Sequence, residues 1–80
     1  MDLGDENIAI QIGLLIKEKR KSKKLNQKQL AVLLNGKESD HGLISRIENG
    51  ERENVRFDTV YMILLALDID LIEILNTIKT

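Results

Sequence analysis

The stretch that decides the fold is residues 25–50: Leu25-Asn26-Gln27-Lys28-Gln29-Leu30-Ala31-Val32-Leu33-Leu34-Asn35-Gly36, then Lys37-Glu38-Ser39-Asp40, then His41-Gly42-Leu43-Ile44-Ser45-Arg46-Ile47-Glu48-Asn49-Gly50. Asn26 is an N-cap residue, and Gln29, three positions on, completes a capping box in which each side chain satisfies the other's backbone N–H. Leu25 before the cap and Leu30 after it form the matching hydrophobic staple. Leu30, Ala31 and Leu34 share one apolar face. Asn35-Gly36 ends this helix, because glycine takes the left-handed conformation without a Cβ clash. A second short helix is predicted over residues 40–49, with Asp40 or Ser39 as its cap, Ile44 and Ile47 facing inward, and Asn49-Gly50 as its stop. Two short helices joined in this way can cross steeply, and the second then projects its N-terminal end from the body.

Helical spacing also dominates on either side. From Asp5 to Ser22, Ile8, Ile12, Leu15 and Ile16 form one stripe, extended by the stem of Lys19, and the segment ends in a basic run suited to a helix C-terminus. From Asp58 to Leu67, Val60, Ile63, Leu64 and Leu67 are the inward set. The last segment starts at Asp70, with Glu73 at its third position and Ile69/Ile74 as a staple, and carries Leu71, Ile74, Leu75 and Ile78. Five short helices and no strand signal predict an all-α domain spanning residues 1–80.

Composition narrows the function. The chain has 80 residues, no cysteine, one histidine and no proline. A disulfide framework and a cysteine–zinc site are excluded, and one histidine builds no histidine-based metal site. With 42% apolar and 31% charged residues the chain is too apolar to be disordered. No apolar run reaches the roughly 18 residues of a membrane span. The opening Met-Asp-Leu-Gly-Asp-Glu lacks a basic signal-peptide region, so a soluble, cytoplasmic protein is expected. The net charge of −1 hides an uneven distribution: residues 1–16 carry −3, residues 17–56 carry +5 and residues 57–80 carry −3. A basic middle between acidic ends reads either as a solvated face or as an anion-binding surface on one side of the molecule. There is no glycine-rich phosphate loop and no Ser/His/Asp grouping, so neither an enzyme nor a cofactor is expected.

The run Leu25-Asn26-Gln27-Lys28-Gln29-Leu30-Ala31, then Ile44-Ser45-Arg46-Ile47-Glu48-Asn49-Gly50, resembles the Cro/repressor-type helix-turn-helix family of phage and bacterial regulators. Ile12-Gly13, Ile16 and Arg20 match that family's first helix, and Val60, Ile63, Leu67 and Ile69 its fourth, so the likeness covers residues 8–76. Two departures stand out. The connection between the Leu-Ala and Ile-Ser pairs is longer than the family's, with Lys37 to Ser39 or their neighbours inserted. The isoelectric point, about 5.8, is low for a DNA binder. Affinity follows the local basic face rather than the average charge.

The resemblance implies a five-helix, lambda-repressor-like fold, with the helix-turn-helix over residues 26–49 and double-stranded DNA as partner. It makes 40–49 the recognition helix, whose exposed start reads base edges in the major groove. Positions 41, 42, 45 and 46 then share the outward face. Arg46 is the strongest reader, because its fork bonds guanine O6 and N7 together. Ser45 can donate or accept, His41 can meet a base or a phosphate, Gly42 lets the backbone approach, and Leu43 can touch a thymine methyl. Gln27 matches a family position on the phosphate backbone, and Asn26, Lys28, Arg52, Asn54 and Arg56 are further backbone candidates. The resemblance also pairs Glu48 with Arg20 as a structural ion pair. Lys17, Lys19, Lys21, Lys23 and Lys24 are expected as a solvated face giving long-range attraction.

Met62, Leu65, Ile69 and Ile72, with Ile78, are apolar residues left over from the inward set of the last two helices, 57–78, and point to a homodimer there. A dimer suits a two-fold operator. The reading is a small dimeric repressor or autoregulator of the phage-repressor, restriction–modification-controller or antitoxin type. The alternative is an interaction module of the same fold, such as a toxin-binding antitoxin, with DNA binding secondary.

Overall fold

Three of the helices end in the same way, and those endings shape the molecule. The computed structural model describes residues 6–51 and 55–78. Its helices are α1 (Glu6–Ser22), α2 (Gln27–Asn35), α3 (His41–Glu48), α4 (Phe57–Ala66) and α5 (Leu71–Ile78), with a single 3₁₀ turn at Glu38–Asp40 ahead of α3. No strand occurs among the described residues. The fold is all-α.

After α1, Lys24 turns left-handed at φ 59°, its N–H bonds the Lys21 carbonyl, and the Leu25 N–H bonds the Arg20 carbonyl. After α3, Gly50 at φ 82° and Glu51 repeat this pattern onto Ile47 and Arg46. After α4, Asp68 at φ 57° and Ile69 repeat it onto Leu65 and Leu64. This is the Schellman ending, which satisfies orphan carbonyls and turns the next apolar side chain back onto the helix.

The third of these endings corrects one expectation. Ile69 is not a surface residue available to a partner: it is 5% exposed and belongs to the core. Leu71 and Leu75 depart in the opposite sense. Both were expected on the inward face of α5 and both are exposed. Ile74 is the α5 side chain that packs against the core, and Asp70 Oδ1 caps the helix by accepting from the Glu73 N–H at 2.9 Å. The side chain of Ile78 lies outside the described residues.

The core joins Leu15 and Ile16 of α1, Leu30 and Ala31 of α2, Ile44 and Ile47 of α3, Ile63 and Leu64 of α4, and Leu67 and Ile69 beyond it. Gly13 lets α1 lie directly on the end of α3. A Cβ there would sit 2.5 Å from the Ile47 carbonyl oxygen and 2.7 Å from that of Glu48. At the other end of α1, Lys19 pairs with Glu73 at 2.9 Å and Lys23 with Asp68 at 3.2 Å. These two lysines are therefore not part of a free basic face. They tie α1 to α5 and to the turn before it. Exposed pairs of this kind contribute little stability.

Candidate nucleic-acid interface

The capping box forms as the sequence expects. Asn26 Oδ1 accepts from the Gln29 N–H at 2.7 Å, and the Asn26 N–H donates to Gln29 Oε1 at 2.8 Å. Asn26 stays exposed at the start of α2, with Lys28 exposed beside it. Gln27, the first residue of α2, is half-buried, and its side-chain amide donates to Glu48 Oε1 at 3.2 Å. The amide expected to face phosphate from this position is engaged here with Glu48.

Glu48 is the hub of that interior group. Arg20 Nε donates to its Oε2 at 2.6 Å and Arg20 Nη2 to its Oε1 at 3.1 Å, while Nη1 donates to the Leu25 carbonyl at 2.8 Å. Arg20 is 7% exposed and Glu48 4%. One charged cluster thus joins the end of α1, the first residue of α2 and the last residue of α3. Geometry this good is what a buried pair needs to offset its desolvation. Together with Gly13 it fixes how α3 lies on the body.

The turn before α3 differs from expectation. Asp40 does not cap α3. Its carboxylate instead accepts from the Asn35 side-chain amide. Asn35 Oδ1 in turn accepts from the Lys37 N–H at 3.1 Å. Glu38–Asp40 form a 3₁₀ turn whose Glu38 carbonyl lies 3.1 Å from His41 Nδ1. The sequence carried no signal for that contact, because it depends on the turn's conformation.

On α3 itself, Gly42 and Arg46 are exposed, and His41 and Ser45 are half-buried. Space is open around Gly42. Among the described residues, neither the Arg46 guanidinium nor the Ser45 hydroxyl has a partner. Leu43 is a correction: it packs against the core beside Ile44 and Ile47, so it is not turned toward a thymine methyl. The outward face is Gly42, Ser45 and Arg46, with His41 at its leading edge. Of the expected backbone contacts after α3, Arg52 and Asn54 lie outside the described residues. Arg56 is exposed and already paired with Asp58 at 3.0 Å, which dilutes its charge.

A short helix held on a two-helix frame, with an exposed arginine that has no partner among the described residues, suits major-groove reading. A family model described as helix-turn-helix matches residues 16–74. The chain belongs to the Cro/C1-type helix-turn-helix family. The match runs from Ile16 to Ile74, so it takes in the Arg20–Glu48 cluster, the capping box, the 3₁₀ turn and α4. Helix-turn-helix proteins of this type are DNA-binding transcription regulators, typically without enzymatic activity. No curated protein and no solved structure matches the chain. Among the described residues no helix is long and apolar enough to cross a membrane, and no cluster of metal-binding side chains occurs.

Proposed function

We propose that this chain is a sequence-specific transcriptional regulator that binds a two-fold duplex operator as a homodimer, acting as a small repressor or autoregulator. The observation that carries this reading is the outward face of α3. Arg46, exposed and without a partner among the described residues, stands with Ser45 and Gly42 on a helix whose opposite face is locked by core packing and the Arg20–Glu48–Gln27 cluster. Base readers on a rigid element keep the geometry that bidentate contacts need. Asn26, Lys28 and Arg56 supply backbone contacts.

Dimerisation rests on the exposed apolar side chains of α4 and α5. Met62, Leu65 and Ile72 all stand open to solvent, Ile72 at 67%, with Leu71 and Leu75 beside Ile72 on the same short helix. Ile69 is removed from this set and Leu71 and Leu75 join it. Exposed apolar side chains on these two successive helices offer an association surface. The same surface favours a second reading, in which the fold binds another protein and DNA is secondary.

Titration of the protein with a duplex selected from a random pool separates the two. A regulator binds the selected duplex far more tightly than random duplex, with affinity falling steeply as salt rises, because phosphate contacts release counterions. Binding that is weak, unselective and abolished at modest salt supports the interaction module.

A further inference from the structure

His41 stands where the lengthened turn meets the recognition helix, and its ring is held on one side only. Nδ1 lies 3.1 Å from the Glu38 carbonyl oxygen. A carbonyl oxygen can only accept, so Nδ1 carries the hydrogen of this bond. In the neutral imidazole the other nitrogen, Nε2, is then a bare acceptor. Among the described residues Nε2 has no partner. The backbone carbonyl of the 3₁₀ turn thus favours the tautomer that carries its hydrogen on Nδ1.

We propose that His41 determines operator specificity by accepting, at Nε2, a hydrogen bond from the exocyclic amine of adenine or cytosine in the major groove. The assignment rests on the DNA reading above and deepens it. In the major groove the donors are adenine N6–H₂ and cytosine N4–H₂, whereas guanine and thymine oxygens and purine N7 are acceptors. A lone acceptor at the leading edge of α3 therefore selects an amine. Phosphate is the competing target, and the local charge opposes it. The turn that holds the ring carries the carboxylates of Glu38 and Asp40, Glu38 exposed and Asp40 bound to Asn35, and both repel a phosphate brought to this end of α3. Arg46 on the same helix can only donate, so it takes guanine O6 and N7. Together the two side chains read opposite hydrogen-bond senses on one helix face.

The test has two stages. Duplexes are selected from a random pool by the wild type, by His41→Ala and by His41→Phe, which keeps a ring without nitrogen. Both variants are expected to lose preference at the same base pair and to keep it elsewhere. At that pair the amine is then deleted, with purine in place of adenine or a 2-pyrimidinone in place of cytosine. In a separate duplex N7 is deleted with a 7-deazapurine. Amine deletion should weaken wild-type binding about 2- to 12-fold, the worth of one neutral hydrogen bond, beyond its effect on the variants. Deletion of N7 should leave wild type and variants unchanged relative to each other. Sensitivity to N7 instead of the amine overturns the proposal, since the ring would then be donating. A uniform loss across all sequences in His41→Ala, or no loss, overturns it equally, by placing the ring on phosphate or off the DNA. Failure of the DNA reading itself looks different: no duplex is enriched by the wild type at all.

Discussion

Glu48→Ala tests the frame on which the whole reading depends. Arg20 makes three hydrogen bonds, at 2.6 and 3.1 Å to Glu48 and at 2.8 Å to the Leu25 carbonyl. Removing the carboxylate leaves a guanidinium that is 7% exposed with one acceptor, and deprives the Gln27 amide of its partner. Stranding one member of a buried pair costs about 3–5 kcal/mol. A core of this size supplies about 3–5 kcal/mol in total, so Glu48→Ala should be largely unfolded at room temperature. Removing both charges is a different perturbation. Arg20→Met with Glu48→Leu replaces the pair by apolar side chains in the same space, which is often neutral or stabilising. The double variant should therefore be markedly more stable than Glu48→Ala. Circular dichroism melts and urea titrations of the wild type, both single variants and the double variant form the cycle. In a domain of this length each kcal/mol moves the melting temperature by about 4–8 °C, so the differences lie far outside error. A Glu48→Ala protein that melts within a few degrees of the wild type would refute the reasoning. So would a double variant no more stable than the worse single.

Three further outcomes follow from the geometry. Arg46→Ala should cost about 1–3 kcal/mol on the selected operator and far less on random duplex; equal losses in the two titrations would move Arg46 to the phosphates. Leu65→Glu combined with Ile72→Glu should give a folded monomer with weak operator binding, because both side chains are exposed and lie outside the core; an unchanged sedimentation profile would count against dimerisation through α4 and α5. Gly13→Ala should lower stability by about 1–3 kcal/mol, the usual range for overpacking, because its Cβ meets the backbone oxygens of Ile47 and Glu48 rather than a movable side chain; an unchanged melting temperature would show that α3 slides away freely.

What the sequence could reveal depended on whether the deciding contact was local. The start of α2 was legible because Asn26 and Gln29 cap each other within one turn, and its end because Gly36, at φ 78°, lies just past Asn35. Ile69 was misread because the left-handed residue before it is Asp68, not glycine. Short polar residues tolerate that conformation, but they signal it weakly. Leu71 and Leu75 were misread for another reason. Positions 71, 72, 74, 75 and 78 are all apolar, and so dense a pattern leaves the buried face of a helix undetermined. The rotation of α5 is set by its surroundings, with Ile69 in the core, Ile74 packed against it and the Lys19–Glu73 pair. Asp40 has a cap residue's chemistry, but the amide of Asn35 claims its carboxylate.

The reading face of α3 shows the same division at the level of function. Sequence periodicity identifies that face by subtraction, as positions 41, 42, 45 and 46, which Ile44 and Ile47 leave outside; Leu43, named apart from that face for its methyl contact, packs against the core. Subtraction names side chains but not their hydrogen-bond sense. Arg46 needs no more than its name, since a guanidinium donates in every environment. His41 does need more, because an imidazole nitrogen donates or accepts according to what holds the other one. Here that holder is the Glu38 carbonyl of the 3₁₀ turn before α3. Residue identity at a recognition position therefore specifies a base only together with the backbone that orients it. On the reading proposed for His41, that backbone is the 3₁₀ turn Glu38–Asp40.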